Sequence, residues 1–153
     1  MRCVVQRAAR AEVRVAGEVT GRIDGGLVVL AAFAADDGEA ELRWMAKKLP
    51  ALRVFRDDQD RMNLSLADVG GGILLISQFT LYGDARKGNR PSFTASAPPE
   101  LARELYTRFV EILSEEWPTV AQGVFGAMME VSLVNDGPVT LILDREADGG
   151  GPT

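Results

Sequence analysis

A proline inside a long apolar stretch constrains this chain more than any other feature. Residues 125–143 read as two β-strands, Phe125 to Val134 and Val139 to Leu143, separated by Gly137-Pro138. Proline has no amide hydrogen and cannot sit in a paired central strand, so the chain must turn or present bare backbone there. An X-Pro bond is also where a cis peptide is cheapest, and glycine before it removes a side-chain clash. A rigid dipeptide with two outward-aimed carbonyls can sense shape close to its surface. The plain alternative is an ordinary turn, and only the rest of the chain can decide.

The preceding sequence supplies a sheet and two helices. Arg2 to Ala9, Ala11 to Ala16 and Glu18 to Ile23 read as a meander of strands, with Val13 and Val15 alternating against Glu12 and Arg14. Asp24-Gly25-Gly26 makes a turn before the buried strand Leu27 to Phe33. Asp36 and Glu39 have capping-box spacing ahead of a helix whose Leu42, Met45, Ala46 and Leu49 share one face, with Pro50 at its end. Val54-Phe55 and Met62 flank the acidic turn Asp57-Asp58-Gln59-Asp60. This is no calcium loop: counted from Asp58, Asn63 holds the glycine position and Val69 the final carboxylate position. Gly70-Gly71-Gly72 leads into the buried strand Ile73 to Ile76, which continues through Ser77 to Leu81 and gives way to a polar loop from Tyr82 to Phe93. Pro98 and Pro99 open a second helix with a core stripe of Leu101, Leu105, Phe109 and Ile112. The pattern is α+β: a mostly antiparallel, barrel-like sheet with two main helices in a single domain, residues 1–146, and a disordered tail, 147–153.

Composition narrows the chemistry. The chain of 153 residues has no histidine and one cysteine, Cys3. Ser-His-Asp and Cys-His catalysis, histidine-ligated metal sites and an intrachain disulfide are therefore all excluded. No metal or other cofactor is expected. Hydrolysis would have to rely on a hydroxyl, a carboxylate, a lysine, backbone dipoles or the substrate itself. No apolar run is long enough to cross a bilayer, and the N-terminal residues lack the pattern of a secretory signal, so a cytoplasmic location away from membranes is expected. The net charge of −5 argues against a general nucleic-acid binder. Two basic groups nevertheless stand out, Arg86, Lys87 and Arg90 in one loop and Lys47, Lys48, Arg53 and Arg56 around another segment. They could hold a few phosphates or simply be solvated.

Ser77-Gln78-Phe79-Thr80 lies where a buried strand breaks into a polar loop, a place where a fixed framework opens to solvent. Thr80 offers a hydroxyl, Gln78 an amide, and the strand end offers backbone N–H groups suited to an oxyanion. Local satisfaction of the strand terminus by Ser77 and Thr80 is the bland alternative.

Three segments carry a resemblance: Ser77 to Leu81, Lys87-Gly88-Asn89-Arg90-Pro91-Ser92-Phe93, and Val131 through Thr140. Together with Val5-Gln6-Arg7-Ala8, Gly17 to Gly21 and Met62-Asn63-Leu64, they resemble the signatures of the D-aminoacyl-tRNA deacylase family, in order from residue 1 to about Leu143. The resemblance implies a homodimeric enzyme that hydrolyses the ester between a D-amino acid and the 3′ end of tRNA, and that also removes glycine from mischarged tRNA-Ala. It implies a cis Gly137-Pro138 projecting into the partner subunit's site, with Arg7 fixing that loop. Thr80 falls at the proposed nucleophile position, with Ser77, Gln78, Phe79 and Leu81 lining the site. Phe125, Ala127 and Met129 match positions near the terminal adenosine and pocket. Met128 departs from the acidic or polar residue expected there, and Gly83 replaces the commoner alanine.

The physical logic agrees with the residues. With the α-amino group fixed, L and D substrates point their side chains in opposite directions. Closely placed carbonyls of Gly137 and Pro138 would leave room for hydrogen on one face and clash with carbon. Selection would then work by rejection, tolerate many D side chains, and fail to exclude glycine. For the chemical step, Thr80 could attack and form an acyl-enzyme, but no histidine exists to activate it. Assistance by the 2′-OH of the terminal ribose needs no titrating side chain and is the preferred route. Two rival readings are a non-catalytic tRNA-binding module of the same fold and a hydrolase of small acyl esters.

Overall fold

The computed structural model describes residues 1–148. In chain order the elements are β1 (Arg2–Val15), β2 (Glu18–Ile23), β3 (Gly26–Ala32), α1 (Glu39–Ala51), β4 (Phe55–Arg56) and β5 (Met62–Leu64). They continue with α2 (Leu66–Val69), β6 (Gly72–Ser77), α3 (Pro99–Glu116), β7 (Val120–Gln122) and β8 (Glu130–Asp144). The long β1 organises them. Its first half lies between β3 and β8 and its second between β2 and β8, all antiparallel. β6 joins β3 in parallel and β7 joins β6 in parallel, giving the order β2-β1-β3-β6-β7. The sheet is thus mixed, with both parallel pairings at one side.

The sheet curls until its ends approach. A Cβ placed on Gly21 of β2 would stand 2.6 Å from the Gln122 carbonyl oxygen of β7, so glycine is what lets these strands meet. At the start of the β3–β6 pair, Gly26 has φ +141 and a Cβ there would fall 1.9 Å from the Gly72 oxygen.

Burial explains the apolar runs. Leu27, Val29, Ile73 and Leu75 face α1 and α3, while Val28, Leu74 and Ile76 face a second cluster inside the curl with Val13 and Ile23. Both faces of β3 and β6 are covered, so their sequences do not alternate. β1 changes sides along its length: Cys3 and Val5 belong to the first cluster, Ala8, Ala11 and Val13 to the second. A bulge between Ala8 and Arg10 makes the change of parity. Leu42, Met45 and Leu49 of α1 and Phe109, Ile112 and Leu113 of α3 complete the main core. Full burial of each such side chain contributes about 1.5–3 kcal/mol.

Several expected details differ. The central strand stops at Ser77, and Phe79–Tyr82 form a 3₁₀ turn. The stretch expected to be strand from Phe125 begins only at Glu130; residues 123–129 are loop. Helix α1 is capped at Gly38, whose N–H donates to Glu41 Oε2 at 2.9 Å, rather than by Asp36 and Glu39. Asp37 instead accepts from the Met1 amine at 2.5 Å and the Ala34 amide at 2.7 Å. Of the expected tail, residues 149–153 lie outside the described residues.

The Gly-Pro segment does not divide the sheet. β8 continues through it, and between the pairs Gln6–Thr140 and Ala8–Asn135 one residue of β1 faces four of β8, Asp136 to Val139. Those four leave the ladder as an excursion. This accommodates Pro138, which needs no ladder partner there.

Candidate active site

Where β6 ends, a cleft of about 820 Å³ opens between the sheet, the first turn of α3 and the 123–129 loop. Ser77, Gln78, Phe79 and Thr80 form its floor and near wall. The Gln78 amide N–H bonds to the Ala31 carbonyl at 2.8 Å, tying the floor to β3. Leu81 N–H reaches back to the Gln78 carbonyl at 3.2 Å and Gly83 N–H to that of Thr80 at 2.9 Å, which sets the tight turn. The amides of Phe79 and Thr80 donate to no group among the described residues. They are two adjacent donors on exposed residues that line the cleft, the kind of group that can hold an oxyanion.

Thr80 is exposed, and its Oγ1 accepts from Gln78 Nε2 at 2.5 Å. The hydroxyl is therefore oriented by a donor. A nucleophile needs the opposite, an acceptor for its proton. None of the residues lining the cleft carries a titratable side chain.

Aromatic rings flank the opening. Phe79 packs edge-on to Phe93, centroids 5.2 Å apart. Phe125 leans on Tyr106 at 5.5 Å and carries the Arg103 guanidinium over its ring at 4.8 Å. Tyr106 is held by a hydrogen bond from its hydroxyl to Gln122 Oε1 at 3.0 Å, and burial pushes its pKa up to about 12. Ala127 and Met129 line the same side, Met129 packed so close to Gly123 that a Cβ there would meet its sulfur at 2.5 Å. Met128, the departure noted in the sequence, also lines the cleft and is 91% exposed.

Not every expected site residue lies here. Leu81 is outside the cleft, and its carbonyl accepts from Arg2 Nη1 at 3.1 Å. Gly137 and Pro138 are exposed on the β8 excursion and line no part of this cleft within the single chain. Their peptide bond is cis. Arg7, 2% exposed, sits under them: Nε donates to the Asp136 carbonyl at 2.9 Å and Nη1 to the Val54 carbonyl at 2.6 Å. Asn135 braces the excursion from within, accepting from Val139 N–H at 3.1 Å and donating to Thr140 Oγ1 at 3.1 Å.

Sequence reasoning missed Phe33, Pro98, Pro99 and Ala102 as lining residues, and Phe93 stood in a quoted motif without a role. The polar loop folds into a ring closed by Asp84 and Ser92, whose backbones exchange hydrogen bonds at 2.7 and 2.8 Å. Of its basic group, Arg86 is bound to Asp84, while Lys87 and Arg90 are exposed. The other basic group disperses: Lys48 lies over Trp44, Arg53 bonds to Asn63 and Arg56 pairs with Asp60.

Residues 4–144 match the family described as D-Tyr-tRNA(Tyr) deacylase. A relative from Syntrophobacter fumaroxidans named D-aminoacyl-tRNA deacylase is 57% identical over 144 residues, 94% of this chain and 97% of that one. A Thermus aquaticus relative of the same name is 54% identical, covering 98% and 99%. Among solved structures, "c-Myc DNA Unwinding Element Binding Protein" superposes with TM-score 0.90 at 40% identity, covering 96% of this chain and all of that one. A probable eukaryotic D-amino acid tRNA deacylase has TM-score 0.82 at 19% identity, covering 94% and 98%, a likeness of fold.

Proposed function

The chain belongs to the D-Tyr-tRNA(Tyr) deacylase family, a family of ester hydrolases, and on that premise we propose that its cleft hydrolyses D-aminoacyl-tRNA to free D-amino acid and tRNA. One observation carries the mechanism: the two unpaired amides of Phe79 and Thr80 stand beside a hydroxyl held by Gln78, in a cleft without a titratable side chain. Those amides stabilise the oxyanion formed when the ester carbonyl is attacked. Water is the attacking group, and the 2′-OH of the terminal ribose positions it and relays its proton, because no protein base is at hand. Thr80 orients the substrate. Gln78 keeps Thr80 in place and Ser77 lines the cleft beside it, while Phe125, Ala127 and Met129 receive the terminal adenosine.

Chirality is read by a second copy of the chain. Gly137 and Pro138 are exposed, stand outside the ladder and line no part of their own chain's cleft, which leaves them available to a partner. Exposed Val131, Val134 and Ile142 on the same strand offer apolar surface for that association. Delivered against the neighbouring cleft, the two carbonyls exclude a carbon substituent on one face of the α-carbon. L-aminoacyl esters are rejected, and glycine, with hydrogen on both faces, is accepted, including from mischarged tRNA-Ala. The substrate pool places the enzyme in the cytoplasm. Among the described residues no helix is long and apolar enough to cross a membrane.

The deciding assay compares D-, L- and glycyl-tRNA with the parent enzyme. Release of D-amino acid and glycine with L esters spared supports the reading, whereas equal cleavage of D and L esters sinks it. Binding of charged tRNA without release would favour a non-catalytic tRNA-binding module instead.

A further inference from the structure

The cleft that receives the acyl end is uncharged along its lining, yet any nucleotide entering it brings a phosphodiester. One cation is held at its rim. Arg103, on the first turns of α3 next to the lining residue Ala102, lays its guanidinium over the Phe125 ring at 4.8 Å. Its Nη2 lies beside Gly126, where a Cβ would come within 3.4 Å, and Gly126 has φ +76. Both Phe125 and Gly126 line the cleft.

No carboxylate pairs with Arg103 among the described residues, whereas Arg2, Arg14, Arg22, Arg43, Arg86 and Arg108 are each matched to one. The ring contact restrains the guanidinium, whose N–H groups make no hydrogen bond among the described residues. A planar, pre-oriented fork suits a phosphate better than a solvated ammonium does. Lys87 and Arg90, in the 84–92 ring, have no comparable restraint among the described residues.

We propose that Arg103 is a substrate-binding residue that grips a backbone phosphate at the 3′ end of the RNA, next to the adenosine held against Phe125. The inference rests on the deacylase reading and adds to it a means of telling a polynucleotide ester from a small one. Arg103 acts in binding rather than in the chemical step, so its effect falls on KM.

Two substrates separate this from a packing role: D-tyrosyl-tRNA, and 3′-O-D-tyrosyl-adenosine, which has the same ester and base but no phosphate. Arg103→Gln should lower kcat/KM on the tRNA by about 10- to 100-fold, the worth of one charge-assisted contact, mainly through KM. On the adenosine ester it should change little. Arg103→Lys should recover part of the loss, and the salt dependence of kcat/KM on tRNA should be shallower for Arg103→Gln than for the parent. Equal losses on both substrates would mean that the arginine merely supports Phe125, and no loss on either would remove it from binding; each overturns the inference while the parent's activity leaves the deacylase reading standing. A parent inactive on both esters would overturn the reading and this inference with it.

Discussion

Nη2 of Arg7 lies so close to Gly137 that a Cβ on the glycine would stand 2.9 Å from it, at a backbone φ of +129 that L side chains rarely adopt. The arginine cannot easily retreat, because its Nε and Nη1 are held by the carbonyls of Asp136 and Val54. Gly137→Ala should therefore displace the excursion rather than the core. We expect about 1–3 kcal/mol of lost stability from the strained backbone and about a 100-fold drop in D-aminoacyl-tRNA turnover from misplacement at the site. Melting and single-turnover deacylation on the same preparation check both; a folded variant with full activity would take this backbone out of the mechanism.

Thr80→Val should be a mild substitution. It removes a hydroxyl that accepts from Gln78 and leaves the Phe79 and Thr80 amides in place. Turnover should stay within about 10-fold of the parent, against a loss on the order of 10⁶-fold for deletion of a true nucleophile. Trapping an acyl group on Thr80 would contradict this.

Removing the 2′-OH from the terminal adenosine should cost far more than removing Thr80's hydroxyl. Assistance of this kind is worth about 10²–10⁴-fold. The comparison is made with 2′-deoxyadenosine-terminated tRNA charged at the 3′ position, and an unaffected rate would return the search to a protein group.

The pH profile follows from the cleft's lining. With no titratable side chain there, kcat at saturating substrate should show no bell-shaped dependence arising from the enzyme. Two ionisations that shift when a cleft residue is replaced would be the contrary result.

Stability should have its own acid limb at the α1–α3 contact. Arg108 donates to both oxygens of Glu39 at 2.9 and 2.6 Å and Arg43 adds a third contact, drawing the Glu39 pKa from its ordinary 4.5 down to about 2. A depressed carboxylate contributes stability above its unfolded pKa and loses that contribution as pH falls through the folded one. Glu39→Gln should melt below the parent at neutral pH, and the two curves should converge as pH drops from about 4.5 toward 2. A gap that persists unchanged at acid pH would assign the effect to packing.

What could be read in advance depended on range. The buried strands and the stripes of α1 and α3 were legible because Leu42, Met45, Leu49, Leu105, Phe109 and Ile112 recur at helical spacing. Ser77, Gln78, Phe79 and Thr80 were legible as a strand-end cluster. The 3₁₀ turn at Phe79–Tyr82 was not, since its hydrogen bonds depend on the anchoring of Gln78 to Ala31 on another strand. The lining contributed by Pro98, Pro99 and Ala102 was hidden for the same reason: only the docking of α3 brings its first turn to the cleft. Leu81, expected at the site from the resemblance, lies outside the single chain's cleft because the turn carries it past the rim, where its carbonyl accepts from Arg2. Gly137-Pro138 was visible as an interruption, but not that β8 would run on through it.

That continuity separates two lengths that are usually coupled. The pairs Gln6–Thr140 and Ala8–Asn135 anchor β8 on both sides of the excursion, so a residue gained or lost between them alters how far the dipeptide protrudes without shifting the flanking register. The reach of this protrusion is thus a length that insertion or deletion could reset, independently of the scaffold that holds it.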